Sequence, residues 1–414
     1  MSQAHRWGVA VAGFFLQMEL GSVYAWSVFK APLTRQYHWA SPDVTFAFAV
    51  AIFVLGITAC LGGVLGKRMG SQPVAVLGGV LFGLGLILSG FTGSSLGWLY
   101  VTFGVVGGAG MGLGYITAVA VLVRWFPDRR GFITGMSVCG FGAGALIAAP
   151  LAERWIQTAG TGHTFLWLGL GCTALGLVSG SWIVDPPEHY QPAGWKPSMR
   201  LLRQRSSYPW TLVEALGTWQ WWLLWLLLFL NTSAGISVIA QEVPIFVEFA
   251  RVTPVVAAAM VGVVSIGNAA GRFFWAGLSD VLTRRWTFVL LFAFQVYLFW
   301  MLPRCASGWS VAVVSFLILL CYGGGFGIMP AFVADSFGDS DFGSIYGLML
   351  TAWSAASVVG PMLTATLHES TGSFRSSLRL IMGVVAISAL LPTLMRQPRM
   401  RRIRAAVPLP DPDL

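Results

Sequence analysis

Two charged side chains lie inside long apolar stretches of the sequence, and they are the first candidates for chemistry. Glu19 stands in the apolar run between Trp7 and Phe29, and Arg272 ends the segment Asn268-Ala-Ala-Gly-Arg272. A charge at the middle of a bilayer costs at least about 2.5 kcal/mol, so such a residue is a candidate for a functional site. A buried arginine stays protonated and presents a planar fork that binds a carboxylate through two parallel hydrogen bonds. The position of Arg272 within an apolar stretch therefore predicts a site for a small organic anion.

Other interpretations of these two charges stay open from the sequence. Arg272 could pair with Glu19 or with carbonyl oxygens at helix ends and only tie helices together. Glu19 could carry a proton, since burial favours the protonated carboxyl, or it could stay neutral and hydrogen-bond a neighbouring helix or Gln17. In a third arrangement Arg272 has no fixed acidic partner, the substrate anion is its counter-ion, and the proton travels by water or by Glu19.

Polar residues that could complete the anion site occur in the same apolar stretches. Asn268 precedes Arg272 by four residues, so the two share one face of a helix. Tyr115 interrupts a glycine-rich stretch, Tyr322 precedes three glycines, and Tyr24 lies in the first stretch. A tyrosine hydroxyl there could bind a carboxylate or a 2-hydroxyl group, although each could equally be an ordinary buried or interfacial tyrosine. We predict all four as substrate-binding residues.

The composition indicates a membrane protein. Of the 414 residues, 56% are hydrophobic and 10% charged, whereas about 25% of a soluble domain is charged. The five cysteines form no CxxC pair and have no histidine at ligand spacing, so we expect no metal and no cofactor. No paired-carboxylate or Ser/His/Asp set stands at membrane depth, so we expect no enzyme. The net charge of +9 is spread over short loops and a tail, which gives no reason to expect a nucleic acid partner.

Twelve stretches are long and apolar enough to cross about 30 Å of hydrocarbon. They run near residues 7–29, 43–65, 74–92, 97–123, 131–151, 163–184, 218–240, 255–276, 286–302, 309–333, 343–366 and 378–395. The first exceeds the apolar core of a signal peptide, so we interpret it as a retained helix. The predicted organisation is a six-helix bundle at 1–184, a linker at 185–217, a second six-helix bundle at 218–395 and a basic tail at 396–414.

Lysine and arginine are unevenly distributed between the two sets of loops. If the amino terminus is inside, the inner segments contain 17 of the 25 basic residues and the outer segments contain seven. The remaining basic residue is Arg272, which lies within an apolar stretch. Because basic residues are enriched on the cytoplasmic side, we expect both termini in the cytoplasm. One inner loop, with Asp335, Asp339 and Asp341, departs from the pattern. The basic tail is expected to meet anionic head groups or only to fix the topology.

Two short motifs occur once in each half at nearly the same offset. Gly63-Val-Leu-Gly-Lys-Arg-Met-Gly70 is matched 213 residues later by Ala276-Gly-Leu-Ser-Asp-Val-Leu-Thr283, and Phe126-Pro-Asp128 is matched 211 residues later by Phe337-Gly-Asp339. Similar offsets predict a duplicated unit with a solute site between its copies.

The first motif resembles the signature loop of the major facilitator superfamily, with Lys67 at the acidic position of the first copy. The resemblance implies an all-α membrane fold of twelve transmembrane helices in two pseudo-symmetric six-helix bundles. It also implies that residues in these loops control conformational change, and we assign this role to Arg68, Asp128, Arg129, Arg130 and Asp280.

Three further segments resemble the oxalate/formate antiporter family. They are Gly21-Ser-Val-Tyr-Ala-Trp-Ser-Val-Phe29, Trp125-Phe-Pro-Asp-Arg-Arg-Gly131 with its continuation to Gly144, and the segment ending at Arg272. The resemblance implies transport by alternating access and an arginine that binds the substrate carboxylate. The chain is also similar to a bacterial relative of the proton-linked monocarboxylate transporters, which implies a place in the cytoplasmic membrane of a prokaryote. In the eukaryotic carriers an aspartate at the position of Asn268 takes part in proton coupling. Asparagine does not titrate, so that role is not carried over.

The eleventh apolar stretch bears on the substrate. Trp353 stands where a dicarboxylate antiporter of this family has a lysine, and one cavity cation suits one carboxylate. We therefore expect a monomeric secondary active transporter that moves a small monocarboxylate, such as L-lactate or pyruvate, together with a proton across the lipid bilayer. The alternative is a proton-independent carboxylate exchanger of the oxalate/formate type. A membrane sensor, which binds without translocation, is the alternative from another class.

Overall fold

The computed structural model describes residues 3–187, 190–192, 194–195 and 208–398. The described chain contains helices and no strand. Several residues of the predicted linker and of the basic tail lie outside the described residues, and the predictions made for them stay predictions: Lys196, Arg200, Arg203, Arg205, Arg399, Arg401, Arg402 and Arg404.

We number the membrane-crossing helices α1 to α12. In the first half, α1 runs Gln3–Gly21, passes through the 3-10 turn Ser22–Ala25 and continues as Trp26–Tyr37; α2 is Ser41–Met69; α3 is Ser71–Ser89; and α4 comprises Leu96–Leu99, the π-helix Tyr100–Gly107 and Gly108–Trp125. α5 and α6 are the two arms of one helical stretch, Arg130–Ser181, which reverses at Gly160 with φ 82°.

In the second half, a short helix Leu212–Leu216 precedes α7. α7 is Trp219–Ala240, followed by Glu242–Ala250; α8 is Pro254–Val281; α9 is Arg284–Met301; α10 is Gly308–Phe337; α11 comprises Phe342–Met349 and Thr351–Thr371; and α12 comprises Phe374–Ser388 and Leu391–Leu394.

The predicted twelve crossings are present in the described part of the chain. Ten helical stretches there are long and apolar enough to span a membrane, and one of them, Arg130–Ser181, contains both α5 and α6. α8 supplies the twelfth crossing, because its 28 residues extend over about 42 Å.

Two predicted boundaries are wrong. Helical structure in α1 continues to Tyr37 rather than ending near Phe29, with Pro32 inside the continuing helix. No loop separates α5 from α6, because the positive φ of Gly160 reverses the chain within one residue.

Close helix contacts fix the backbone around Arg272. A Cβ atom on Gly327 of α10 would lie 2.1 Å from the Arg272 carbonyl oxygen, and one on Gly323 would lie 2.0 Å from the Asn268 carbonyl oxygen. A Cβ on Gly135 of α5 would lie 2.6 Å from the same Arg272 oxygen. Since only glycine allows these approaches, α10 and α5 both lie directly against the segment of α8 that carries the predicted site. Arg272 is thus held where the two halves of the molecule meet.

Both described ends of the chain lie at one end of the helix bundle. Arg6, near the start of α1, pairs with Asp128 in the loop after α4, and Gln397, just after α12, donates a hydrogen bond to the carbonyl oxygen of Asp335 near the end of α10. We term this end of the molecule the terminal face. The loops after α2, α4, α8 and α10 gather there.

Candidate functional site

Arg272 is fully buried and touches both halves of the molecule. Its Nε donates to Asn268 Oδ1 at 3.2 Å within α8, and its Nη1 donates to the carbonyl oxygen of Val138 in α5 at 3.1 Å. Nη2 is buried and has no hydrogen-bond partner. Two of the guanidinium nitrogens therefore position the side chain, and the third is available to an anion.

Aromatic side chains from both halves surround the guanidinium. The phenol groups of Tyr24, Tyr115 and Tyr322 are close enough to interact electrostatically with it. The ring centroids of Phe141 and Phe326 lie 5.8 and 5.1 Å from Arg272 Cζ. These distances are in the range of cation–π attraction, which stabilises a buried cation without neutralising it.

Two further aromatic residues pack against the side chains that surround the Arg272 guanidinium. Trp353 of α11 contacts Phe141 and Phe326, with ring centroids 5.8 and 5.0 Å apart. The Tyr346 hydroxyl lies 3.5 Å from that of Tyr115. We term the seven aromatic residues the aromatic cage: Tyr24, Tyr115, Phe141, Tyr322, Phe326, Tyr346 and Trp353. Its hydroxyls can donate hydrogen bonds to an anion, and its ring faces can contact an apolar group.

The cage holds a positive charge without a fixed negative one. No carboxylate of the described residues forms an ion pair with Arg272, and the neighbouring Asn268 is neutral. This is the third of the arrangements that the sequence left open, in which the arginine has no fixed acidic partner. A site of this kind favours an anionic ligand, since the ligand supplies the missing charge.

Glu19 faces away from Arg272. Its carboxyl group is buried among α1, α3 and α6, where Cβ atoms on Gly79 and Gly176 would lie 3.3 and 2.9 Å from its oxygens. Both carboxyl oxygens lack a hydrogen-bond partner. Gln17, one of its predicted partners, instead donates to the Tyr115 carbonyl oxygen. The structure therefore separates the predicted proton site from the predicted anion site.

Charged residues join the two halves at the terminal face. Arg130 at the start of α5 binds Asp335 and Asp339 of the second half. The Asp280 carboxylate accepts hydrogen bonds from the backbone N–H groups of Gly131 at 3.0 Å and Phe132 at 2.8 Å, and so caps α5 from the opposite half.

Three other predicted loop residues take no part in these contacts. Asp128 pairs with Arg6 inside the first half, and Arg68 and Arg129 are exposed. Lys67, beside Arg68, makes the bridge instead, with its Nζ 2.8 Å from Asp341 Oδ1 in the second half. At the motif's acidic position this chain therefore has a lysine, and this lysine pairs with an aspartate of the other half, so the signs of the two charges are reversed.

The sequence matches the family model of the Major Facilitator Superfamily over residues 9–331 and again over residues 248–411. The chain belongs to the Major Facilitator Superfamily. As a member of this superfamily it is a membrane transporter and not an enzyme, and both predictions are confirmed.

This chain is similar to two relatives of known name and to one solved structure. The oxalate:formate antiporter of Oxalobacter formigenes is 25% identical over 374 residues, which cover 89% of this chain and 86% of the relative. The apicoplast pyruvate carrier 1 of Toxoplasma gondii is 25% identical over 406 residues, covering 82% and 73%. The crystal structure of the superfamily transporter FucP in the outward conformation has a TM-score of 0.73 at 13% identity, covers 94% of this chain and 98% of FucP, and bears on the fold alone.

Sequence reasoning missed one buried acid of this transporter. Glu242 begins the short helix after α7, is 2% exposed, and has two carboxyl oxygens without a hydrogen-bond partner. It lies two residues beyond the predicted seventh span, so a search limited to charges within spans passed over it. The signal that could have found it is the apolar run Val-Pro-Ile-Phe-Val that follows.

The structure offers no metal site among the residues it describes. No group of three or more histidine, cysteine, aspartate or glutamate side chains in that part of the chain could hold a metal ion.

Proposed function

We propose that this protein is a secondary active transporter that moves a small monocarboxylate, such as L-lactate or pyruvate, together with a proton by alternating access. The observation that carries the proposal is the buried Arg272 Nη2, which has no hydrogen-bond partner. A hydrogen bond to a charged group contributes about 1.5 to 3 kcal/mol, which favours occupation of this donor by a carboxylate oxygen. Asn268, Tyr24, Tyr115 and Tyr322 are the proposed further ligands.

One carboxylate suits the charge of the site. Arg272 is the cation of the cage, and Trp353 provides an apolar ring on α11 where a second cation would be needed for a dicarboxylate. The aromatic rings favour a small apolar remainder such as a methyl group. The names of the two relatives, an oxalate:formate antiporter and a pyruvate carrier, support the choice of a small carboxylate.

Alternating access follows from the position of the ligands on both halves. Of the proposed ligands, Tyr24 and Tyr115 belong to the first half, and Arg272 and Tyr322 to the second. A carboxylate bound between them is contacted by both halves at once, so its binding free energy can drive their relative movement. Arg130, Asp280 and Lys67 would separate from their partners as the terminal face opens.

Glu19 is the proposed proton carrier. A buried carboxyl without a hydrogen-bond partner is held in its neutral form by desolvation, so its ionisation requires a change in its surroundings. α1 carries Glu19 and, through the turn Ser22–Ala25, the cage residue Tyr24. Movement of α1 around the substrate would therefore reach the proton site.

We further propose that the transporter works as a monomer in the cytoplasmic membrane of a prokaryote. The terminal face would lie in the cytoplasm, because the inner loops contain most of the basic residues.

A second candidate function is exchange of carboxylate anions without a proton. The observation that favours it is the neutral Asn268, which binds Arg272 where an acid could have coupled a proton directly. In such an exchanger the unpaired arginine would allow the halves to move only when an anion is bound.

Uptake of labelled L-lactate into liposomes distinguishes these functions. The liposomes contain the purified protein and are tested with an inward proton gradient, without a gradient, and preloaded with unlabelled carboxylate. We expect gradient-driven accumulation that is abolished by Arg272→Ala and kept by the control Arg304→Ala, which removes an arginine at the opposite end of the bundle from the terminal face.

Uptake that requires preloaded anion and ignores the gradient would replace symport by exchange. Absence of uptake under all three conditions would contradict the monocarboxylate proposal.

A further inference from the structure

A cavity of about 290 Å³ opens at the terminal face, on the outside of the second half. It lies between the start of α9, the end of α10 and the residues that follow α12. Arg284, Arg285 and Arg396 line it together with Trp286 and Asp335. Three cations and one carboxylate give the cavity a positive charge.

One of the three arginines is already engaged. Arg284 pairs with Asp335 at 3.0 Å and with Asp280 at 2.7 Å, and it donates to Ser279. The single carboxylate of the cavity, Asp335, also receives Arg130 from the first half. Its negative charge is therefore shared by at least two buried arginines, which leaves little of it to neutralise the others.

The other two arginines form no ion pair with a carboxylate of the described residues. Arg285 is half-buried, and its Nε is enclosed without a hydrogen-bond partner, while its Cζ lies 5.3 Å from the Trp286 ring centroid. Arg396 is exposed at the rim. An arginine fork without a carboxylate favours a planar or tetrahedral oxyanion.

The surroundings locate the cavity at the edge of the membrane. Trp286 is 54% exposed at the end of an apolar helix, which is typical of aromatic residues at the level of lipid head groups. The cavity also lies at the start of α9, where the helix dipole favours a negative charge.

We propose that this cavity binds the phosphate of an anionic phospholipid, with Arg285 and Arg396 as its ligands and Trp286 at the boundary with the acyl chains. The site is separate from the substrate cage and belongs to the second half alone. Because Arg284 and Asp335 border it, a lipid phosphate here adjoins the ion pairs that hold the halves together at the terminal face. The lipid would thereby adjust the transporter's conformational equilibrium.

The test is binding of spin-labelled phosphatidylglycerol to the full-length protein in phosphatidylcholine vesicles. The variant Arg285→Gln/Arg396→Gln is compared with the matched control Arg304→Gln/Arg375→Gln, which removes two arginines at the opposite end of the bundle. We expect the double variant to bind about thirtyfold more weakly, since each basic residue near an anionic surface contributes about 1 kcal/mol and 1.4 kcal/mol is a factor of ten. The control should bind like the wild type.

Two outcomes would overturn the proposal. Equal lipid binding by the double variant, with an unfolding temperature in pure phosphatidylcholine equal to that of the wild type, would exclude these arginines as ligands. Displacement of the labelled lipid by inorganic phosphate as effectively as by unlabelled phosphatidylglycerol would assign the cavity to free phosphate instead. Displacement by the lipid alone supports the proposal.

Discussion

Arg272 and Asn268 define the proposed anion site at the scale of single residues, and tyrosine hydroxyls would determine which anion fits. L-Lactate and pyruvate differ at the carbon next to the carboxylate, where one has a hydroxyl group and the other a carbonyl. A tyrosine hydroxyl can accept a hydrogen bond from the first and donate to either. The two fully buried tyrosines that flank the guanidinium, Tyr115 and Tyr322, are placed to sense this difference.

We predict that Tyr115→Phe and Tyr322→Phe each weaken L-lactate uptake about fivefold in KM, since a typical net hydrogen bond contributes about 1 kcal/mol. At least one of them should change the KM ratio of L-lactate to pyruvate. Competition uptake in liposomes measures both values. Tyr297→Phe, at an exposed tyrosine of α9, is the control, and a loss equal to that of the control would remove these hydroxyls from the site.

Trp353 decides between one carboxylate and two in this proposal. Trp353→Lys places a cation in the cage beside Phe141 and Phe326, whereas Trp353→Met changes size without charge. We predict that the lysine variant gains binding of oxalate and loses L-lactate uptake at least tenfold, while the methionine variant gains no oxalate binding. Oxalate binding to both variants by calorimetry would show the gain to be independent of charge and contradict the prediction.

The sequence allowed part of this site to be predicted. Arg272 was identified because a charge within an apolar helix is costly. Asn268 was identified because it lies four residues before Arg272, a spacing that places both on the same helix face. Phe141, Phe326 and Tyr346 could not be found this way, since an aromatic residue in an apolar helix has no feature that distinguishes cage from core. Only the packing of α5, α10 and α11 brings them together.

Charged residues at helix ends and in loops form ion pairs at the terminal face. Lys67 at the end of α2 reaches Asp341 at the start of α11, and its side chain is 49% exposed. The Asp341 side chain is only 11% exposed, so solvent screens the pair mainly at its lysine end, and the pair contributes on the order of 1 kcal/mol to stability. It can nevertheless shift the balance between two conformations of similar free energy.

We predict that Lys67→Asp and Asp341→Lys each change the uptake rate of L-lactate about twofold to fivefold, and that the exchanged pair Lys67→Asp/Asp341→Lys restores most of it. Like charges face each other in each single variant, while the double variant has the attraction reversed. Initial rates in liposomes at low ionic strength measure the coupling. Additive effects in the double variant would mean that the two residues act independently.

The helices themselves were predicted more closely than their connections. Apolar length identified twelve crossings, because the hydrocarbon thickness sets it. Two successive crossings were predicted for α5 and α6, but not that they join at one residue, since a single glycine with positive φ resembles any other glycine of a glycine-rich sequence. Reversed polarity at Lys67 was visible in the sequence only as a departure from the motif, because its partner Asp341 is 274 residues away.

In the proposed symport, coupling of a proton to the carboxylate is a property of the whole molecule. The two together carry no net charge, so the loaded and the empty transporter have the same net charge. If Glu19 releases its proton in the empty state, its carboxylate balances Arg272 during the return step. Neutral glutamine at this position would leave Arg272 unbalanced unless an anion is bound.

We predict that Glu19→Gln abolishes gradient-driven accumulation of L-lactate and keeps exchange of labelled for unlabelled L-lactate, with a rate that no longer depends on pH. Glu242→Gln, at the other buried acid without a hydrogen-bond partner, should keep both activities. Loss of accumulation in the Glu242 variant alone would transfer the proton role to the short helix after α7.

If the terminal face opens during transport, its charge pairs would also make the transporter responsive to the salt content of its compartment. Opening the terminal face exchanges attractions between opposite charges for contact with the surrounding solution, where dissolved ions screen each charge. The distance over which dissolved ions screen a charge falls from about 30 Å at 0.01 M salt to about 8 Å at 0.15 M. The free energy needed to separate Lys67 from Asp341 therefore falls as salt accumulates. Water loss from a cell concentrates its ions, and we expect the face to open more readily in a shrunken cell than in a swollen one.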